Sequence, residues 1–381
     1  MHIVVHTQMK DFDSEQWNSM VVDNNPFMRY EFLHGLELSA CVCQQTGWIG
    51  SHIAAYSDAS QRKLIAAMPC YIKDHSYGEY IFDWAWADAH HRNGLHYYPK
   101  LTNAIPFTPA SGPRWLVSTS ADSTAVSIAL LKKALSIVEE KELSSFHSLF
   151  LNREQFELMG AQGLSQRHSS QFHWKNQGYT NFDSFLAQMS SKKRKNIKRE
   201  RRRVIESEVD YEWLSGEQLD SQAVSLMFKF YSRTIAYYGA QSYLNREFFD
   251  YLATEFNQQT LFLFAKFNDQ VIAGGLYFKS DNTLYGRYWG ALNNFHSIHF
   301  ETCYYQAIEW CIKHGYQKFE AGAQGEHKLA RGLEPAQTYS AHWIRHPEFR
   351  SAIDGYLAQE KTQIERYTQS LDAHSPFKSE L

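Results

Sequence analysis

The chain has 381 residues, 44% hydrophobic and 21% charged, with a formal net charge of −3. That composition excludes a disordered chain and leaves room for two domains of ordinary size, each with its own core. A general nucleic-acid binder is disfavoured too: residues 1–170 carry 13 Lys and Arg against 17 Asp and Glu, and residues 171–381 carry 25 against 24.

The N-terminal stretch Met1–Trp17 has no long apolar core and carries acids early, so it reads as neither signal peptide nor membrane span. Phe27–Leu38 follows the turn at Asp23–Pro26 as a helix. Gly47–Tyr56 and Lys63–Ile72, joined by a polar turn, predict a hairpin, and Tyr80–Trp86 a further strand. A proline-rich loop leads to a helix over Ala125–Glu140 and a strand over Phe146–Leu151.

The second half repeats this order. Phe182–Met189 is a short helix, and a basic helix follows it. Glu217–Tyr238 and Asn245–Phe256 are helical. Leu261–Phe267, Val271–Phe278 and Leu284–Gly290 form a meander with Asn and Asp at its turns. Phe300, Cys303, Tyr304, Ala307, Ile308, Cys311 and Ile312 have helical spacing, and Gly315 caps that helix. Gln317–Ala321 is a strand, and a polar helix near Ile353–Leu371 precedes a tail without order signals. Two α/β domains are expected, 1–170 and 171–381.

The most informative segment is Lys192–Arg203, where nine of twelve residues are Lys or Arg. Ser190-Ser191 supplies an N-cap signal, which puts Lys192, Lys193 and Arg194 in the first helical turn. The helix dipole is already positive there, and acids are the usual occupants. An external phosphate or carboxylate docked at that turn would relieve the conflict. The alternatives are a solvated charged face and an RNA-binding surface.

Several blocks carry a family likeness. They are Ser190–Arg199, Ala265–Phe278 with Val271-Ile272-Ala273-Gly274-Gly275 inside it, Tyr285–Gly290 and Phe319–Lys328, and in the first half His75–Tyr80, Phe82–Ala87, Tyr97–Leu101 and Pro106–Pro109. The chain resembles the bacterial FemAB-like predicted N-acyltransferases, which share the tandem Gcn5-related acetyltransferase-like fold of the Fem-type peptidoglycan aminoacyltransferases. The resemblance implies an α/β fold of two tandem domains with mixed, mostly antiparallel sheets flanked by helices. It implies transfer of an acyl or aminoacyl group to a small-molecule or peptide amine, linked to peptidoglycan precursors. The donor would be acyl-CoA or aminoacyl-tRNA, with no tightly bound cofactor and a tRNA partner in the second case. Acetyl-CoA users of this fold carry a Gly-rich loop where this chain reads Leu292–His299, with no glycine. A non-catalytic module that binds cell-wall precursors is the rival reading, and an RNA-binding protein is another.

Acyl transfer to an amine needs a base, an oxyanion donor and a hold on the leaving group. Glu326 and His327, in a loop framed by Gly322, Gly325 and Gly332, are candidate bases, as is Glu301. Lys192, Lys193, Arg194, Lys328 and Arg287 are candidates for donor phosphates. His75, Glu79, Asp83, Trp84, Trp86 and Tyr288 are candidates for an acceptor pocket. His90, His91 and His96 lack a matched carboxylate or Cys set, so no metal is expected. Five scattered cysteines without a C-x-x-C pair fit a reducing cytoplasm, and a cytoplasmic location is expected.

Overall fold

A computed structural model describes all residues except 82, 293–296, 324, 373 and 379–381. The chain divides into two compact units, Met1–Ser169 with Gln337–Arg366, and Ser170–Ala336 with Tyr367–Leu381. Residues 337–366, expected in the C-terminal half, thus pack with the first unit.

The first unit opens with β1 (His2–His6), α1 (Ser14–Asn18), α2 (Tyr30–Leu38), β2 (Trp48–Gly50), β3 (His52–Tyr56), β4 (Leu64–Met68) and β5 (Tyr71–Lys73). It continues with α3 (Trp84–Arg92), β6 (Lys100–Asn103), β7 (Leu116–Val117), α4 (Ser123–Glu140), β8 (Ser145–Leu151) and α5 (Arg153–Ala161). The predicted hairpin is β3 and β4, antiparallel with Ile53 opposite Met68. The described residues of the predicted strand over Tyr80–Trp86 form no strand, and Phe82 lies outside the described residues. Trp84 begins α3 instead, and Trp86 is buried from it against Tyr97, Ile344, Ile353 and Leu357. Helix α4 lays its apolar stripe, including Leu130, Leu131, Ala134 and Val138, on the strands beneath. A buried Leu or Phe of this kind contributes about 1.5–3 kcal/mol by leaving water.

The second unit begins within β9 (Ser165–Lys175) and runs on through α6 (Phe182–Ala187), α7 (Ser191–Glu206), β10 (Val209–Ser215), α8 (Ser221–Tyr237), α9 (Arg246–Thr254), β11 (Thr260–Phe267), β12 (Gln270–Lys279) and β13 (Thr283–Ala291). Then come α10 (Ile298–Phe300), a π-helical turn (Glu301–Tyr305), α11 (Gln306–His314), β14 (Lys318–Glu320) and a 3₁₀ segment (Glu326–Arg331). The strand order is β10-β11-β12-β13-β14-β9. Neighbours are antiparallel except β13 and β14, which are parallel. The expected meander is β11, β12 and β13. Helix α11 ends as expected at Gly315, whose φ of +73° suits glycine.

The chain closes with β15 (Glu334–Ile344) and α12 (Pro347–Asp372). Strand β15 pairs antiparallel with β8, with His342 opposite His147. The tail is tied down: Phe377 bridges Met189, and the Ser190 amide donates to the Pro376 carbonyl at 2.9 Å. Among the described residues no helix is long and apolar enough to cross a membrane.

Candidate active site

Helix α7 begins where the sequence places it. Ser190 occupies the N-cap, but its hydroxyl makes no capping bond. The Arg194 amide donates to the Ser190 carbonyl, while the amides of Ser191, Lys192 and Lys193 have no acceptor among the described residues. Further along, Lys198 pairs with Asp183 at 2.9 Å, and Arg201 pairs with Glu301 at 2.9 Å and Glu309 at 2.6 Å. No ion pair among the described residues involves Lys192, Lys193, Arg194 or Lys195. The cations of the first turn therefore present unopposed charge and free amides on one helix end.

Strands β13 and β14 pair only over Thr283–Tyr285 and Lys318–Glu320. Beyond Tyr285 and Glu320 that pairing ends, and β13 continues to Ala291 paired with β12 only. Gly322 has φ +81°, and a Cβ added there would stand 3.9 Å from the Gly286 carbonyl oxygen. Helix α10, the π turn and α11 form one continuous rod. The wide π turn shifts side-chain register by one position, a distortion common at functional sites. It brings Tyr304 onto His327, with the hydroxyl 2.8 Å from Nε2.

His327 belongs to the 3₁₀ segment after Gly325. Gly325 has φ +118°, and a Cβ there would stand 2.5 Å from His327 Cε1, so this position requires glycine. Burial, followed by Arg331 and Lys328, holds the His327 imidazole below its usual pKa, so it is neutral at pH 7. His299 lies with its ring 6.2 Å from His327 and is pushed down to about 4, mainly by burial. Lys328 is 3% exposed, and its ammonium donates to the Gly322 carbonyl at 2.9 Å. Burial lowers its pKa to about 8. Arg331 binds the Glu200 carboxylate at 3.1 Å and lies 3.4 Å over the Phe300 ring. The Tyr305 hydroxyl donates to that same carboxylate. Glu200, the lone acid in the basic run, thus ties α7 to the His327 loop.

The remaining candidates separate. Glu301 is buried, and it accepts from Arg201 Nε and Nη2 and from Gln306 at 2.8 Å. Burial raises its pKa and Arg201 opposes that; with its oxygens engaged it anchors the π turn. Glu326 accepts from the Tyr367 hydroxyl at 2.7 Å on the exposed side of the loop. Arg287 and Tyr288 lie on β13, with the guanidinium 5.4 Å over the Tyr288 ring and that ring 4.9 Å from Tyr231.

In the first unit, Glu79 and Asp83 meet Lys100 at 2.8 and 2.5 Å, all three buried. Tyr97 donates to Asp83 at 2.6 Å and approaches His147, whose Nδ1 lies 2.7 Å from His342 Nδ1. His75 is half-buried beside Lys73 and bonds the Thr46 carbonyl at 3.1 Å. Trp84 is exposed and lines a cavity of 650 Å³ with Asp88, His91, His96 and Tyr98, whereas Trp86 is core. His90 is buried, with Nδ1 on the Trp86 carbonyl. Among the described residues no group of three or more His, Cys, Asp or Glu is placed to hold a metal.

Sequence reasoning missed Tyr304 and His299. Tyr304 was absorbed into the apolar stripe of its helix, and only the π turn reveals it. Lys100 was missed as the partner of Glu79 and Asp83; two buried carboxylates near one lysine were the available signal.

The FemAB-like family, described as peptidoglycan biosynthesis and recognition, matches residues 8–379. No curated protein sequence matches the chain. Among solved structures, FemX is similar at TM-score 0.53 and 10% identity, covering 93% of this chain and all of FemX. The C-terminal domain of a proposed lysylphosphatidylglycerol synthetase from Agrobacterium fabrum is similar at 0.53 and 9%, covering 91% and 96%. L-PGS from Bacillus licheniformis is similar at 0.51 and 9%, covering 85% and 95%. These likenesses support the expected fold class, tandem Gcn5-related acetyltransferase-like domains with mostly antiparallel sheets. The family match also corrects the cofactor expectation. Fem-type enzymes take aminoacyl-tRNA, so acyl-CoA is withdrawn as the donor. With nearly the whole chain matched, the protein belongs to the FemAB-like family.

Proposed function

We propose that the chain is an aminoacyltransferase that moves an aminoacyl group from aminoacyl-tRNA to an amine of a peptidoglycan precursor. The observation that carries this reading is the pairing of neutral His327 with buried Lys328 beyond the end of the β13–β14 ladder.

In the reaction the acceptor amine attacks the ester carbonyl carbon. A C–N bond forms, the C–O bond to the ribose breaks, and the amine proton ends on the leaving ribose oxygen. For His327 to be the base, its Nε2–H donates to the Tyr304 oxygen and leaves Nδ1 free to take the proton. It then returns that proton to the leaving oxygen. Lys328, itself buried and held by the Gly322 carbonyl, supplies positive charge to the tetrahedral oxyanion. The first turn of α7, through Lys192, Lys193 and Arg194, holds donor phosphates. Arg287 is a further phosphate contact. Glu326 is peripheral, and Glu301 a positioning residue. His75 and Trp84 are acceptor-facing candidates in the first unit, and Tyr288 is one in the second. The Lys100 network gives Glu79 and Asp83 a structural role, and packing does the same for Trp86.

The test is a transfer assay with radiolabelled aminoacyl-tRNA and a nucleotide-linked muropeptide. The expected result is a labelled muropeptide, lost in His327→Ala and Lys328→Met at unchanged far-ultraviolet circular dichroism. No transfer from a complete aminoacyl-tRNA pool, with muropeptide bound equally by wild type and both variants, would favour the non-catalytic module.

A further inference from the structure

Helix α8 buries Ala223, Val224, Met227, Phe230 and Tyr231 and leaves its other face open. On that face Lys229, Arg233 and Tyr237 recur every four residues, so they form one ridge with about 6 Å of rise per step. Tyr237 and Tyr238 are 83% and 74% exposed, which is costly for rings without a partner. Their rings are 5.1 Å apart and nearly perpendicular, offering two separate flat faces. No acidic residue occurs from Ser221 to Arg246, and Lys229 and Arg233 enter no ion pair among the described residues. Beside the ridge a cavity of 420 Å³ is lined by Phe228, Ile235, Ala236 and Ala240 on its apolar side and Ser242 and Asn245 on its polar side.

The ridge is linked by contacts to the catalytic loop. The Thr234 hydroxyl donates to the Trp289 carbonyl at 2.8 Å, and the Trp289 ring lies 4.6 Å from His299. His299 in turn faces His327. Glycine at 290 permits this approach, because a Cβ there would meet the Phe230 carbonyl at 2.1 Å.

We propose that Lys229, Arg233, Tyr237 and Tyr238 form a contact for single-stranded RNA that receives the unpaired 3′-terminal nucleotides of the donor. Exposed rings next to unpaired cations suit nucleobases next to phosphates, and stacking tolerates any base. This inference rests on the aminoacyl-tRNA reading for its ligand, but it can be tested apart from transfer.

The experiment is fluorescence anisotropy with a labelled six-nucleotide single-stranded RNA and a duplex of equal length. Tyr237→Ala/Tyr238→Ala is expected to weaken single-strand binding about tenfold or more. Tyr237→Phe/Tyr238→Phe should restore it, because the faces remain. Thermal unfolding reports that both variants fold. Equal single-strand affinity in wild type and the alanine variant overturns the proposal, even if transfer is observed. Conversely, tyrosine-dependent binding without transfer from aminoacyl-tRNA sustains the ridge and sinks the enzymatic reading. Tyrosine-dependent self-association in sedimentation, with no RNA binding, also overturns it and makes the ridge an interface between copies.

Discussion

Lys100 in the first unit and Lys328 in the second, two of the buried lysines, differ in what surrounds them. Lys100 is wholly buried between Glu79 and Asp83, with Ser76 as a further partner at 2.8 Å. Burial disfavours its charge, but the two carboxylates outweigh burial, and its pKa is raised. Lys328 is almost as deeply placed, yet its ammonium donates to a neutral carbonyl, and its pKa falls to about 8. Burial alone therefore does not distinguish a structural lysine from a reactive one; the charge of its partners does. Lys100 is held in one state, whereas Lys328 can gain or lose its proton near neutrality.

The comparison breaks most visibly at Lys100. Lys100→Met strands two buried carboxylates, and a loss of about 3–5 kcal/mol in urea unfolding is expected. Lys328→Met leaves no charge behind and should change unfolding far less. At the loop the effects move from stability to rate. His327→Ala should lower kcat roughly 10²–10⁴-fold, read in single-turnover transfer, while Tm stays within a few degrees. Charge reversal of Lys192, Lys193 and Arg194 acts on binding. It should raise KM for aminoacyl-tRNA and reduce the slope of log affinity against log salt by roughly 2 to 3. The smallest effect is expected at Glu326. Because its carboxylate faces Tyr367 on the exposed side, Glu326→Gln should change kcat less than threefold, a shift of under about 1 kcal/mol.

Much of this was legible in the sequence where local rules operate. The start of α7 follows from Ser190-Ser191, and the meander from its turn residues. The cap at Gly315 follows from its place after the apolar stripe. The basic run stood out because cations in a first helical turn oppose the dipole. Legibility ended where contacts are distant or geometry is irregular. Asp83 meets Lys100 across 17 positions and Glu79 meets it across 21, which no local pattern encodes. Trp84–Trp86 alternate like a strand but wind as a helix, because burying Trp86 against Ile344 and Leu357 outweighs the weak local preference. Tyr304 reached His327 through a π turn, and ordinary helical spacing assigned it to the core.

The central claim is that Lys328 acts as a cation and His327 as a base, and the pH profile of transfer tests it most directly. Lys328 is charged below about 8 and neutral above, so activity should fall as pH rises through 8. His327 is neutral above its lowered pKa, so the acid limb should lie below 6.5. Lys328→Arg keeps the charge and should move the alkaline limb beyond pH 10, at whatever rate remains. Activity that instead rises through pH 8, or an alkaline limb unmoved in Lys328→Arg, would contradict the account.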